Sequence, residues 1–281
     1  MARWFDETLY DTQRQSFRID REIYRGRSEF QEILIFENAT LGRVLALDGV
    51  VQVTERDEFV YHEMLTHLPL NAHGAARKVL IVGGGDGGIL EEALKQPIER
   101  AVMVEIDGLV IEQCRKHLPS VCGKAFEDPR TELIVGDGVK FMAETEERFD
   151  LIVVDSTDPV GPAVELFGEA FFRAARDRLT DRGVLVTQNG VPFFQPQEIS
   201  DTYTKRKKLF PLTGFYLAAI PTYYGGFMAL GWASNGLDLA RPDRAAIAKR
   251  HAQLGIATRY YTPDIHVAAF ALPSFVQELI R

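Results

Sequence analysis

Cysteine is nearly missing from this chain of 281 residues: Cys114 and Cys122 are the only two. They form neither a CxxC pair nor a disulfide framework, so free thiols in a reducing compartment are expected. Positive charge is short as well, with 32 basic against 40 acidic side chains and a net charge of −8. A general nucleic-acid or anionic-membrane surface needs a basic patch, so neither partner is expected. A cationic partner is compatible with the balance. No apolar run approaches a membrane span, and Met1-Ala2-Arg3-Trp4-Phe5-Asp6-Glu7 has no apolar signal core. Internal repeats and low-complexity segments are lacking too. The expectation is a soluble, cytoplasmic protein.

What is present is an ordinary globular composition, 46% hydrophobic and 26% charged, long enough for one large domain or two modest ones. Up to about Thr54 the chain reads as β structure. Gln31–Phe36 and Arg43–Leu47 are strands, and Asp48-Gly49 before Val50–Val53 is a two-residue hairpin signal. Such a small antiparallel sheet needs something to pack on. Thr54-x-x-Asp57 resembles a capping box and opens a helix expected to end near His67. Tyr61 lies on one face of it and His62 about a quarter turn away. Pro69 and Asn71-Ala72-His73-Gly74 mark its end. They divide residues 1–70, a β domain with a connecting helix, from residues 71–281.

From Lys78 onwards strand and helix patterns alternate, which calls for a Rossmann-like α/β fold with a parallel sheet and crossover helices. Strands are expected over Lys78–Val82, Ala101–Val104, Leu133–Val135, Leu151–Val154 and Val184–Thr187. Helices are expected over Ile89–Lys95, Leu109–His117, Leu166–Leu179, Gln197–Phe210 and Arg244–Gln253, with an antiparallel pair, Phe215–Ile220 and Phe227–Trp232, near the end.

The ends of the first four parallel strands share one chemistry. Asp86, Glu105, Asp137 and Asp155 each follow one of them, and Asp158 is a fifth acid close by. Ligands bind at the carboxyl ends of strands in such sheets. Acids gathered there repel one another unless the ligand is cationic. Taken singly, Asp155-Ser156-Thr157-Asp158-Pro159 and Asp137-Gly138 are equally readable as capped turns. Gly83, Gly85 and Gly88 satisfy GxGxxG between a strand and a helix. Asp86 stands inside that loop, where a pyrophosphate would need bare amides. The loop therefore suits a nucleoside without phosphates. Glu105, about 20 residues past the glycines, is placed to grip a ribose diol, and Asp137 with Gly138 could meet an adenine edge.

Ordered blocks along nearly the whole chain resemble the spermidine synthase (polyamine aminopropyltransferase) family, bacterial type. They include Phe30-Gln31-Glu32-Ile33-Leu34-Ile35-Phe36, Leu47-Asp48-Gly49-Val50-Val51-Gln52, Tyr61-His62-Glu63-Met64, Asp155-Ser156-Thr157-Asp158-Pro159 and Ile220-Pro221-Thr222-Tyr223. The resemblance implies a methyltransferase-type sheet behind the β domain, in a homodimer or homotetramer. It implies aminopropyl transfer from decarboxylated S-adenosylmethionine, a co-substrate, to putrescine, giving spermidine and methylthioadenosine, with no cofactor. By resemblance, Gln31, Gly83, Gly85, Glu105, Asp137, Gly138, Pro162 and Leu166 hold the nucleoside. Asp86 holds the amine of the aminopropyl group, and Asp155 is the proton acceptor. His62, Ser156, Thr157, Asp158, Tyr61, Gln188, Tyr223 and Trp4 complete the diamine or polyamine site. Pro159 and Pro162 are expected to order over both substrates.

The leaving group is a sulfonium, so no metal is expected. The acceptor must present a neutral amine in line with the carbon–sulfur bond. An alkylammonium near pKa 10 and an aspartate near 4 differ by about six units, or about 8 kcal/mol. Burial of Asp155, or the sulfonium beside the amine, must narrow that gap. Three rivals share parts of the pattern. A methyltransferase on intact S-adenosylmethionine would bring a carboxylate against Asp86, a nicotinamide dehydrogenase would bring phosphates against it, and a silent polyamine-binding protein would release no methylthioadenosine.

Overall fold

The protein is described by a computed structural model covering residues 2–157 and 161–281, with side chains at all of these except 161 and 162. Among these residues β1 (Arg3–Asp6) and β2 (Ser16–Ile19) form a hairpin, and β3 (Arg21–Arg27), β4 (Glu32–Asn38), β5 (Gly42–Leu47) and β6 (Val50–Thr54) an antiparallel sheet in chain order. Asp48 and Gly49 both take positive φ, 46° and 80°, as the hairpin signal requires. One face of this sheet, with Ile33, Ile35, Leu45, Leu47 and Val53, packs on Val110, Cys114, Leu118 and Val121 of the larger domain. The other face is closed by Phe5, Phe17 and Ile19 from the hairpin. The sheet thus finds the packing that its size demands.

The helix α1 (Glu58–His73) runs past Pro69 and ends only at Gly74, whose left-handed backbone lets its N–H reach Leu70 O. The expected stop at Pro69 is therefore corrected. Burial explains the extension: every residue from Val60 to Asn71 is buried, so tertiary packing outweighs the missing N–H of the proline.

Beyond α1 the chain winds through β7 (Lys78–Gly83), α2 (Gly88–Leu94), β8 (Arg100–Glu105), α3 (Gly108–His117), α4 (Pro119–Cys122), β9 (Thr131–Val135), α5 (Gly138–Glu144) and β10 (Phe149–Asp155). It continues through α6 (Glu169–Arg178), β11 (Leu179–Gln188), α7 (Pro196–Leu209), β12 (Leu212–Ala218), β13 (Met228–Ser234), α8 (Arg244–Leu254), α9 (Pro263–Ala268) and α10 (Ser274–Leu279). The 7-stranded sheet has the order β12-β13-β11-β10-β7-β8-β9; β13 runs antiparallel to both its neighbours, β12 and β11, and the other pairings are parallel. Successive residues of β10 serve opposite cores: Leu151 and Val153 join α1 and α2, Ile152 and Val154 join Phe171 and Phe172 of α6. Burial on both faces is why these strands read as unbroken apolar runs. The expected Leu166–Leu179 helix is split. A 3₁₀ segment, Gly161–Phe167, stops at Gly168, whose extended backbone (ψ 152°) precedes α6. No helix among the described residues is long and apolar enough to cross a membrane.

Candidate active site

The carboxyl ends of β7, β8, β9 and β10 open onto one cleft of about 680 Å³. Asp155 closes β10, in register with Gly83 at the end of β7. Gly83 is obligatory there: its φ is +85°, and a Cβ would sit 1.9 Å from the Asp155 carbonyl oxygen. The Asp155 carbonyl also accepts the Gly84 N–H at 2.9 Å, so strand end and glycine loop are locked together. The Asp155 side chain accepts from the Tyr61 hydroxyl at 2.6 Å. Burial, reinforced by Asp86, pushes its carboxyl up to about 7, against the hydrogen bond from Tyr61 and the charge of His62.

Asp86 lies in the tight turn that opens α2, where its Oδ1 accepts the Gly88 N–H at 2.7 Å. His62 sits behind it. Its Nε2 is 3.5 Å from Asp86 Oδ1, and its Nδ1 is 2.8 Å from Glu58 Oε2. The ring fills the space over Gly88, where a Cβ would come within 2.2 Å of it. Burial opposes charge on His62, yet Asp86 and Glu58 outweigh it and hold its pKa well above the ordinary value. His62 is not among the residues lining this cleft; it lines a small adjoining pocket with Glu58, and Gln52, Tyr61, Thr222 and Tyr223 border both. Helical geometry causes this, because Tyr61 takes the cleft-facing position and the next residue is turned toward α2.

On the other side Glu105 ends β8, and burial pushes its carboxyl up to about 7, with the Asp107 and Gly85 amides opposing. Asp107 is a residue whose role sequence reasoning missed. It caps α3 through Leu109 N, and its Oδ2 accepts from Ser28 Oγ at 2.6 Å and Gln31 Nε2 at 2.9 Å. It thereby ties Gln31, from the small sheet, to the loop that carries Glu105. Asp137 caps α5 by accepting from Val139 and Lys140 amides, so the turn assignment holds, and Asp137 and Gly138 also line the cleft.

Gln31, Gly83, Gly85, Asp86, Glu105, Asp137, Gly138, Asp155, Ser156, Thr157, Leu166, Gln188, Tyr61 and Tyr223 are all brought to this one cleft. Gln188 steadies the loop after β10, donating to the Ser156 and Thr157 carbonyls at 3.1 and 3.3 Å. Tyr223 packs edge-on against Tyr61 at 5.8 Å and donates to Gln52 O. Asp158 and Pro159 lie outside the described residues, as does the side chain of Pro162. Trp4 is not brought to the cleft: it lies on the β1 strand, 56% exposed. The aromatic that the N-terminal segment does contribute is Tyr10, packed on Phe194 at 4.8 Å. An apolar-neighbour pattern distinguishes neither residue in sequence. Tyr10 is carried there by the loop between Glu7 and Gln15, whose backbones pair, and the sequence holds no signal for it. His62, Asp86 and Asp155 also have ligand atoms within 4.8 Å of one another, but Glu58 and Tyr61 already engage two of these groups, which fits a cation of the substrate better than a metal.

Fold and cleft define the class: a Rossmann-like α/β enzyme with an acidic cleft across the ends of its parallel strands. Residues 58–241 match the spermine/spermidine synthase domain, and residues 3–55 match the spermidine synthase tetramerisation domain. Polyamine aminopropyltransferase 1 of Pseudomonas aeruginosa is 52% identical over 277 residues, 98% of this chain and 97% of that protein. The polyamine aminopropyltransferase of Ruegeria sp. is 49% identical over 98% of both. A crystal structure of spermidine synthase in complex with the transition-state analogue AdoDATO superposes with TM-score 0.94 at 39% identity, covering 100% of this chain and 96% of the other. Spermidine synthase from Thermotoga maritima gives 0.91 at 38%, covering 100% and 95%. The chain belongs to the spermine/spermidine synthase family of polyamine aminopropyltransferases.

Proposed function

We propose that this enzyme transfers the aminopropyl group of decarboxylated S-adenosylmethionine to putrescine, with Asp155 as the proton acceptor. The observation that carries the residue assignment is the pairing of Asp155 and Asp86 on one wall of a cleft whose other wall holds Glu105 and Gln31. Glu105 would accept from the ribose hydroxyls, and Asp137 and Gly138 would face the adenine. Asp86 would pair with the ammonium of the aminopropyl arm. Intact S-adenosylmethionine would bring its carboxylate to the same place and be repelled.

The acceptor nitrogen forms a bond to the aminopropyl carbon as the carbon–sulfur bond breaks, its electrons going to sulfur. One proton leaves the nitrogen for Asp155. With the Asp155 carboxyl raised to about 7, the gap to an alkylammonium shrinks from about six units to about three, or about 4 kcal/mol. The sulfonium lowers the pKa of the amine beside it and supplies the rest. Tyr61 keeps one oxygen of Asp155 engaged, so the other faces the amine. Tyr223 and Tyr10 would pack the methylenes of the diamine and attract its cations.

The assembly is a homo-oligomer, a dimer or tetramer, supported by the match of residues 3–55 to a tetramerisation domain. The buried free thiols of Cys114 and Cys122 support a cytoplasmic location, and the decarboxylated donor would enter as a co-substrate. The test is mass spectrometry of products from putrescine, cadaverine, agmatine and spermidine, each with the decarboxylated donor. Spermidine and methylthioadenosine from putrescine, at the highest rate of the panel, are expected. Methylthioadenosine from none of the four would reject the assignment.

A further inference from the structure

Glu58 has no part in the chemistry above, yet it is poised on it. It opens α1 and faces His62 one turn further on, with its side chain 14% exposed. His62 is wedged between two carboxylates, Nδ1 at 2.8 Å from Glu58 Oε2 and Nε2 at 3.5 Å from Asp86 Oδ1. The ring packs directly on Gly88, and any side chain there would displace it, since a Cβ would meet it at 2.2 Å. A neutral imidazole carries one N–H and can serve one of the two acids; only the imidazolium serves both. The charged and titratable groups around the ring are Glu58 from its own helix, Asp86 from the loop after β7, Asp155 from the end of β10, and Tyr61.

We infer that Glu58 is a positioning residue: it holds His62 as a doubly donating imidazolium that braces Asp86, and so sets affinity for the donor's ammonium. This rests on the assignment of Asp86 to the aminopropyl arm. Without the charge of Glu58, one of the two acids stabilising His62⁺ is gone and burial of the ring works against what remains. Asp86 then loses its charged neighbour and keeps the Gly88 N–H, so its carboxylate is held less firmly in the orientation that meets the ammonium. The nucleoside half of the donor touches none of these groups. The effect must therefore separate the two halves of one ligand.

That separation is measurable by calorimetry on the full-length protein with decarboxylated S-adenosylmethionine and with methylthioadenosine, which lacks the ammonium. Glu58→Gln keeps an acceptor for Nδ1 and the packing, and removes only the charge. It is expected to weaken the decarboxylated donor about tenfold, within the range for one charge-assisted hydrogen bond, and methylthioadenosine less than about twofold. In a His62→Gln background the same change is expected to add nothing, because Glu58 acts through His62 alone. Equal weakening of both ligands would show a general structural role and overturn the brace. Donor binding by Glu58→Gln as tight as wild type would overturn it as well. A wild-type protein that does not bind the decarboxylated donor would instead overturn the functional assignment on which the brace rests.

Discussion

Tyr61 donates its hydroxyl hydrogen to Asp155 Oδ1 across 2.6 Å, from a helix to a strand end 94 positions along the chain. The bond stabilises the carboxylate, in opposition to burial and Asp86, which raise the Asp155 carboxyl to about 7. The proposed role of Asp155 as proton acceptor requires it ionised, so kcat/KM of the wild type is expected to rise through about pH 7 and level above it. Removing the phenol takes away a stabiliser of the charged form. Tyr61→Phe is expected to move the acid limb to higher pH, and the pH profile of initial rates checks this. A limb left where it was would separate Tyr61 from the proton acceptor.

A buried site acid has a cost in stability, and its sign is fixed by the direction of the shift. Asp155 ionises near 4 in an unfolded chain and near 7 here. Stability present at low pH is therefore lost as pH rises from about 4 to about 7, by at most about 4 kcal/mol for three units. Asp155→Asn is expected to raise Tm at pH 8 clearly more than at pH 5. Thermal melts at the two pH values decide, and equal shifts would mean the carboxyl is not perturbed.

Gly83→Ala is expected to destabilise the fold by more than about 2 kcal/mol, combining a strained positive φ with overpacking. Its Cβ would press on the Asp155 carbonyl, which cannot yield without moving the end of β10. Denaturant unfolding and the rate of methylthioadenosine release should fall together.

Much of this site was legible because its parts sit where patterns change. Apolar runs such as Leu151–Val154 end in an acid, and buried parallel strands have no other way to read. The glycine loop and the four acids needed only the sheet to be brought together. What escaped was whatever depends on packing. The strands β1 and β3 hide in alternating charge, because Arg3, Arg25 and Arg21 pair across strands with Glu22, Glu32 and Glu37. The path of α1 through Pro69 rests on burial from all sides. Tyr61 and His62 are neighbours in sequence and part company by a rotation of about 100°, enough to put Tyr61 in the cleft and His62 in the small pocket beside it. Asp107 looked like any acid after a strand, and its contacts to Ser28 and Gln31 exist only once the small sheet docks.

Trp4 and Tyr10 make opposite predictions. Trp4 is exposed and away from the cleft, so Trp4→Ala is expected to leave the acceptor KM within about twofold. Tyr10 lines the cleft and stacks near Phe194, so Tyr10→Ala is expected to raise the acceptor KM severalfold with the donor KM little changed. Steady-state kinetics with each substrate varied in turn would distinguish them.

The most direct test is single-turnover release of methylthioadenosine by Asp155→Asn, set beside calorimetric binding of methylthioadenosine to the same variant. The asparagine keeps the shape and the contact with Tyr61 but cannot take a proton. Turnover is expected to fall by about 10²–10⁴, the range for loss of a general base, while the nucleoside still binds. Turnover within a few-fold of wild type, with the nucleoside bound normally, would contradict Asp155 as the proton acceptor.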